Sequence, residues 1–237
     1  MKNIVITGTS RGIGYELVKQ LCMNKEHTIF ALSRNGNQLN ELVKDCKQLN
    51  TASKVIPIAC DLSQDTSLAA GVKQILSTVS SIDILVNNAG AILNKPFLDI
   101  KRSELEYVYN VNVFSVMRLI QELLPAMIGQ QRSHIINISS IGGVQGSVKF
   151  AGLSGYSSSK AALVCVTECL AEELKGKNIS INCLALGAVQ TEMLEEAFPG
   201  YKAPLTAAEM ASFISDFCLK AHHFMNGKIL PISISTP

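Results

Sequence analysis

Tyr156-Ser157-Ser158-Ser159-Lys160 sets a phenol and an ammonium four residues apart. On a helix, positions i and i+4 share a face. An ammonium beside a phenol favours the phenolate and lowers its pKa from about 10, toward the range where it can exchange a proton with a reacting oxygen. The spacing is common by chance, and an exposed pair supporting a helix would use the same residues. Ser139 ends the apolar run HIINIS upstream and Ser140 follows it, which puts a hydroxyl at a strand's carboxyl end. Such a hydroxyl can hydrogen-bond a carbonyl oxygen. Asn112 interrupts the apolar stretch VNVFSVM with an amide that needs a partner or a water. It is either a satisfied core Asn or the holder of a water chain leading to Lys160.

A second group of residues suits phosphate. Thr7-Gly8-Thr9-Ser10-Arg11-Gly12-Ile13-Gly14 follows NIVIT and runs into Ile13, Leu17 and Leu21 at helical spacing. In a strand–turn–helix context, glycines allow positive φ and close backbone approach, and the helix N-terminus offers free N–H groups to a pyrophosphate. The second strand ends Leu32-Ser33-Arg34-Asn35, without the acid that takes the ribose 2′-hydroxyl in NAD-binding doubly wound folds. Arg34, with Arg11 from the Gly-rich turn, suits a 2′-phosphate instead, which favours NADP over NAD. Asp61-Leu62 closes the third strand, where Asp61 can accept from the adenine amino group and Leu62 can pack beside the ring. Asp61 can also cap the next helix. Asn87-Asn88-Ala89-Gly90 follows the run IDILV, and two amides at a buried strand end require polar partners.

The elements that must position these groups alternate along the chain. Strand candidates are 3–7, 27–33, 54–60, 82–86, 134–139, 179–185 and 228–233, all rich in Ile and Val, as expected of strands covered on both faces. Ser103-Glu104-Leu105-Glu106 reads as a capping box before a long helix toward Ala126, Thr206-Ala207-Ala208-Glu209 as another, and 161–174 as a further helix. Regular alternation predicts an α/β fold of the Rossmann type, doubly wound in three αβα layers around a seven-stranded parallel sheet, with one domain over 1–237. Two long loops, 141–155 and 191–205, each follow a strand's carboxyl end and are expected to border a ligand.

Of the 237 residues 47% are hydrophobic, and the net charge is +2 with no basic or acidic block, so neither nucleic acid nor an anionic membrane is expected as a partner. Mean hydropathy is +0.24, high enough to suggest a large core or apolar surface covered in an oligomer. No apolar run reaches the roughly 18 residues of a spanning helix, and MKNIVITGTS reads as a strand rather than a signal peptide. Seven cysteines without a CxxC, mostly in apolar segments, read as buried reduced thiols in a cytoplasmic protein. Cys165 and Cys169 share a helix face but have no nearby His, the four His form no ligand or triad pattern, and no metal is expected.

With these residues in view, the chain resembles the short-chain dehydrogenase/reductase family, single-domain type. TGTSRGIG (7–14), DL (61–62), NNAG (87–90), Asn112, Ser140, YSSSK (156–160) and LGAVQTEM (186–193) occur in family order from about residue 3 to residue 232. The resemblance leans to 3-oxoacyl-[acyl-carrier-protein] reductase-like and small carbonyl reductase members. It implies that Tyr156 exchanges the proton with the substrate oxygen, Lys160 lowers its pKa and binds the nicotinamide ribose, Ser140 polarises the substrate oxygen, and Asn112 holds a relay water. It further implies that Gly187, Val189 and Thr191 lie at the nicotinamide carboxamide, and that Asn88, Ala89 and Gly90 run along the adenine ribose while the amides satisfy backbone left open by the Gly-rich turn. A homodimer or homotetramer acting on a small carbonyl or alcohol is implied as well.

Three features depart from the family pattern. Leu186 replaces the usual Pro before Gly187. The stretch GGVQGSVKFAGLSG lengthens the path from Ser140 to Tyr156, which leaves Ser139 as an alternative serine. The tail ISISTP lacks the Gly-rich ending of many relatives. Met193, Leu194, Phe198 and Tyr201 are candidates for an apolar wall or for simple packing, and the Glu192–Leu205 loop, short for a lid, suits bulky or carrier-bound substrates. The alternative function is a non-catalytic nucleotide-binding regulator on the same fold. Loss of Tyr156 or Lys160 would have favoured it, and both are present.

Overall fold

The computed structural model describes residues 1–24, 26–49, 52–129 and 132–236. Within them lie seven strands, β1 (Asn3–Thr7), β2 (Thr28–Ser33), β3 (Lys54–Ala59), β4 (Ile84–Asn87), β5 (Ser133–Ser140), β6 (Ile179–Leu186) and β7 (Ile229–Ile232). They form one sheet in the order β3-β2-β1-β4-β5-β6-β7, with every pairing parallel. The helices are α1 (Gly12–Asn24), α2 (Gly36–Leu49), α3 (Asp65–Thr78), α4 (Arg102–Tyr109), α5 (Ser115–Met127), α6 (Ser154–Glu173), α7 (Glu192–Ala197) and α8 (Ala207–Lys220).

Side chains alternate across a strand, so one strand feeds two cores. In β1, Ile4 and Ile6 join Leu17, Leu21, Leu39, Leu42, Met210 and Ile214 on the α1/α2/α8 side. Val5 joins Phe30, Leu68, Leu119, Leu123 and Leu163 on the α3/α5/α6 side. Both faces are covered, which explains why the strands read as continuous apolar runs. From β1 the chain winds outward to β3 and then returns to the other side of β1 with β4. The strand order therefore reverses between β1 and β4, and the ligand crevice of such sheets opens beyond their carboxyl ends.

Two predicted boundaries need correction. Ser103 does not cap α4. The helix begins two residues earlier than that cap implies, at Arg102 with Lys101 as its N-cap, and Glu104 reaches back to the Lys101 N–H at 2.7 Å. Nor is the segment toward Ala126 one α-helix. A π turn, Asn110–Phe114, separates α4 from α5 and carries Asn112. The second box holds: Thr206 Oγ1 accepts from Glu209 N–H (3.2 Å) and Thr206 N–H donates to Glu209 Oε2 (2.9 Å).

Among the described residues five cysteines are buried, but Cys165 and Cys169 are exposed on α6, contrary to the expectation of uniformly buried thiols. Three of the histidines also cluster where no pattern was expected. His134 lies against His222 with ring centroids 5.4 Å apart, and His222 against His223 at 4.1 Å, both pairs tilted. Among the described residues no helix is long and apolar enough to cross a membrane, and no group of three or more His, Cys, Asp or Glu could hold a metal ion.

Candidate active site

A cleft of about 290 Å³ opens at the carboxyl ends of the central strands. Gly8, Ser10, Arg11, Gly12, Ile13, Ser33, Arg34, Asp61, Leu62, Asn88, Ala89 and Gly90 line it, as do Ser140, Tyr156, Lys160, Gly187, Val189 and Thr191. Of the residues singled out in the sequence, Gly14 and Asn112 lie behind its wall rather than on it.

The Gly-rich turn has the geometry its glycines permit. Gly8 and Gly12 have φ of +71° and +58°. A Cβ on Gly14 would stand 2.2 Å from the Gly8 carbonyl oxygen and 2.5 Å from Asn88 Nδ2, so no side chain fits there. Asn88 Nδ2 donates to the carbonyls of Thr7 (3.0 Å) and Gly8 (3.1 Å), which satisfies the turn's backbone as expected. Asn87 acts elsewhere. It donates to Asn137 Oδ1 (2.8 Å), and Asn137 in turn donates to Thr167 Oγ1 (2.9 Å), a buried ladder across β4, β5 and α6.

The two arginines flank the same region with partners of their own. Arg11 pairs with Glu196 on α7 at 2.7 Å, both largely exposed. Arg34 Nη1 donates to the Tyr107 hydroxyl at 3.1 Å. Asp61 does not cap α3, whose N-cap is Gln64; its Oδ1 accepts from Ser63 N–H (3.0 Å) and Ser63 Oγ–H (2.8 Å) in a local turn.

At the other end, β5 delivers Ser140 and the first two turns of α6 deliver Tyr156 and Lys160. The two serines differ in their bonds. Ser139 is buried and its hydroxyl donates to the Lys160 carbonyl (2.9 Å), whereas the Ser140 hydroxyl faces the Tyr156 oxygen. Asn112 is fully buried. Its Oδ1 accepts from Ala91 N–H (2.8 Å), and its Nδ2 donates to the Ala91 carbonyl (2.9 Å) and Ser159 Oγ (2.9 Å). The π turn aims this amide at the loop after β4, a use of such bulges that recurs at functional sites.

The electrostatics differ from the sequence expectation. Burial pushes the Tyr156 phenol up to about 12, with Ser140 pulling the other way, rather than down toward neutrality. Burial also lowers Lys160 to about 8. The physical reason is where the ammonium points: Lys160 Nζ donates to the Ile138 carbonyl at 2.9 Å and lies 5.8 Å from the Tyr156 ring centroid. Desolvation of both groups therefore outweighs their mutual effect.

The lining also contains residues the sequence reading did not single out: Ile92, Tyr107, Phe150, Leu153 and Thr236. Met193, Leu194 and Phe198 do line the cleft, but Tyr201 does not; its hydroxyl bonds Ser235 Oγ and the Thr236 carbonyl, both at 3.1 Å. Leu186 ends β6 on the cleft wall. The following Gly187 is held by the tail, where a Cβ would stand 2.2 Å from Ser233 Oγ. Of the tail, Pro237 lies outside the described residues.

A fold of this order, with a Gly-rich first turn and Tyr, Lys and Ser at the far end of one cleft, defines a class of nucleotide-dependent oxidoreductase. The family model "short chain dehydrogenase" matches residues 2–202, and the chain belongs to the short-chain dehydrogenase/reductase family. It is similar to the ketoacyl reductase HetN of Nostoc sp., 34% identical over 194 residues, which span 81% of this chain and 65% of that relative. It is also similar to the 3-oxoacyl-[acyl-carrier-protein] reductase FabG of Aquifex aeolicus, 28% identical over 97% of this chain and 94% of that protein. Among solved structures, L-sorbose reductase from Gluconobacter frateurii, complexed with NADPH and L-sorbose, superposes with a TM-score of 0.87 at 25% identity, over 98% of this chain and 95% of that one.

Proposed function

We propose that the protein, working as one nucleotide-binding unit, is an NADP(H)-dependent oxidoreductase that interconverts a ketone or aldehyde with its alcohol. The observation that carries the reading is convergence. One continuous cleft has the Gly-rich turn and Arg34 at one end and Ser140, Tyr156 and Lys160 at the other.

The residues fit a dinucleotide. A side chain at Gly90 would fill the space beside Lys160, its Cβ standing 3.4 Å from both Lys160 Nζ and Asn112 Oδ1. The glycine keeps that space open for a ribose. Gly8, Ser10, Gly12 and Ile13 would hold the pyrophosphate, Asp61 and Leu62 the adenine, and Arg34 and Ser33 the 2′-phosphate. Asn88, Ala89 and Gly90 would follow the ribose, and Gly187, Val189 and Thr191 the carboxamide. When bound, the nicotinamide supplies or takes the hydride.

The chain's own residues move the proton. In reduction, the Ser140 and Tyr156 hydroxyls converge on the carbonyl oxygen, and Tyr156 gives up its proton as charge develops there. Burial that keeps Tyr156 protonated through neutral pH suits the donor role in reduction. Lys160 stabilises the phenolate that forms, and Asn112 fixes the Ala91 backbone beside it. Tyr156 and Lys160 in the cleft favour turnover over a purely regulatory role. Buried thiols suit a reducing compartment, and the exposed Phe114 and Met117 near the start of α5 suit association of copies.

The test is titration with NADPH and NADH by nicotinamide fluorescence, followed by NADPH oxidation with a carbonyl panel. Turnover that Tyr156→Phe abolishes without loss of NADPH binding supports the reading; NADPH binding without turnover of any carbonyl overturns it.

A further inference from the structure

Three loops meet around the Tyr156 end of the cleft. Asn94 Nδ2, from the loop after β4, donates to the Ala197 carbonyl at the end of α7 (2.7 Å). Lys95 N–H donates to the Gly152 carbonyl (2.9 Å), which ties the same loop to the stretch between β5 and α6. Across the gap, Phe150 of that stretch meets Phe198 of the α7 loop edge-on, with centroids 6.3 Å apart and planes at 70°. This is a favoured aromatic geometry. The short stretch between Ser140 and Tyr156 that lengthens the chain here thus supplies half of an aromatic clasp.

The wall beneath the clasp is apolar. Ile92, Ile141, Leu153, Met193 and Leu194 line it with the two rings, and the two phenylalanines, Met193 and Leu194 are only half-buried. Of the basic residues lining the cleft, Arg11 and Arg34 belong to the Gly-rich turn and the end of β2, and Lys160 lies one turn after Tyr156 on α6. Arg11 is already paired with Glu196. Lys160 is committed to the Ile138 carbonyl and the acidic Glu192 also lines the cleft, so a carboxylate beside the reacting carbonyl would find no guanidinium to meet it. Hydroxyls lying against Ile92, Leu153, Phe150 and Phe198 would lose water without replacement bonds. An apolar body would instead bury the half-exposed side chains, a gain that scales with the area covered.

From this geometry we infer that the site takes an uncharged carbonyl compound with an apolar body next to the carbonyl, and that Phe150 and Phe198 are its specificity-determining residues. The inference rests on the oxidoreductase reading and narrows its substrate class. It separates this chain from a reductase of polyhydroxylated ketones, although the fold is shared with one.

The experiment uses the full chain with saturating NADPH. Calorimetric binding and NADPH oxidation are measured for 2-acetylnaphthalene, for L-sorbose and for 2-oxooctanoate. The expected result is binding and reduction of the aryl ketone, with kcat/KM at least about 100-fold above either polar compound, since unpaired polar groups in an apolar site discriminate that strongly. Phe198→Ala is expected to weaken the aryl ketone about 10-fold or more through KM, with kcat and NADPH affinity little changed, and Phe198→Leu to keep most of the binding. Phe150→Ala in the Phe198→Ala background should add little, because one clasp is lost only once. Equal or better handling of L-sorbose or the oxo acid overturns the inference. Failure of the aryl ketone to bind, or indifference of its binding to both Phe198 variants, does the same. Binding that responds to Phe198 without any NADPH oxidation leaves the apolar recognition standing and overturns the oxidoreductase reading instead.

Discussion

Lys160 Nζ donates to the Ile138 carbonyl at 2.9 Å while the Tyr156 ring centroid lies 5.8 Å away. The ammonium is thus anchored to the strand that carries Ser140 and held in a buried position, with 3% of the residue exposed. Burial lowers Lys160 to about 8 from its usual 10.5. The charged form therefore costs the folded state free energy below pH 8, and the cost fades as pH rises from 8 toward 10.5.

That cost makes Lys160→Met informative. At pH 7 the variant should lose activity yet gain stability, by up to about 2 kcal/mol after allowing for the lost bond to Ile138. The gain should shrink as pH approaches 10. Chemical denaturation of both proteins at pH 7 and pH 9.5 checks this, and a variant less stable at pH 7 would contradict it.

Tyr156 supplies a matching pH signature in catalysis. Its phenol is held up to about 12 by burial, so it stays protonated across neutral pH, and the change that falls within reach is Lys160 near 8. The reductive kcat should be flat from pH 6 to 7.5 and decline above 8, while alcohol oxidation should rise with pH over the same interval. A reductive rate that climbs through pH 9 would remove Tyr156 from the donor role.

Asn112 offers a structural test of the π turn. It makes three bonds with no solvent access, two of them to the Ala91 backbone. Asn112→Ala would strand the Ala91 N–H and C=O, while Ser159 keeps its bond to the Tyr156 carbonyl, at about 2–4 kcal/mol. The urea midpoint should fall accordingly, with the m-value unchanged. An unchanged midpoint would mean that water replaces the amide without loss.

Which parts of this arrangement could be read from sequence follows from the range of the interactions. Period-2 and period-3.6 patterns are local, and they located all seven strands to within two residues or so. The Gly-rich turn was legible because Gly8, Gly12 and Gly14 are required by backbone geometry within one short segment. Asn87 and Asn88 look alike in sequence, yet one braces β5 and the other the Gly-rich turn, because successive side chains on a strand point to opposite faces. The direction of the Tyr156 shift is not local either. Spacing places Lys160 on the same helix face, but only the tertiary structure shows its ammonium committed to Ile138. Phe150 was invisible because its partner Phe198 lies 48 residues away across a cleft.

The buried histidines set the acid limit of stability. His134 is fully buried, with Nδ1 bonded to the Cys218 carbonyl (3.1 Å) and Nε2 to Asn182 Nδ2 (3.0 Å), an arrangement that suits the neutral ring. Burial lowers both His134 and His222 to about 4, with His223, Lys2 and Arg132 adding to the effect at His222. Their contribution is present above the unfolded value near 6.5 and is lost as pH falls from there toward 4. For His134 this is on the order of 3 kcal/mol. Stability at pH 4.5 should therefore drop well below that at pH 7, and His222→Phe should soften the drop. Equal denaturation midpoints at the two pH values would sink the argument.

Arg11 and Arg34 divide the 2′-phosphate question between them. Arg34 is exposed and its guanidinium is bonded to the neutral Tyr107 hydroxyl, whereas Arg11 must leave Glu196 before it can meet a phosphate. Arg34→Ala should therefore weaken NADPH about 10- to 100-fold, as expected for loss of a charge-assisted pair, with NADH unaffected. Arg11→Ala should do less, since it forfeits the Glu196 pair as well. Glu196→Ala should tighten NADPH a few-fold by freeing Arg11, in keeping with the small worth of an exposed ion pair. Fluorescence titration of the three variants with both nucleotides decides it. If Arg34→Ala binds NADPH as the parent does, the 2′-phosphate is held elsewhere; if Glu196→Ala weakens NADPH, the Arg11–Glu196 pair closes α7 over the cofactor rather than competing with it.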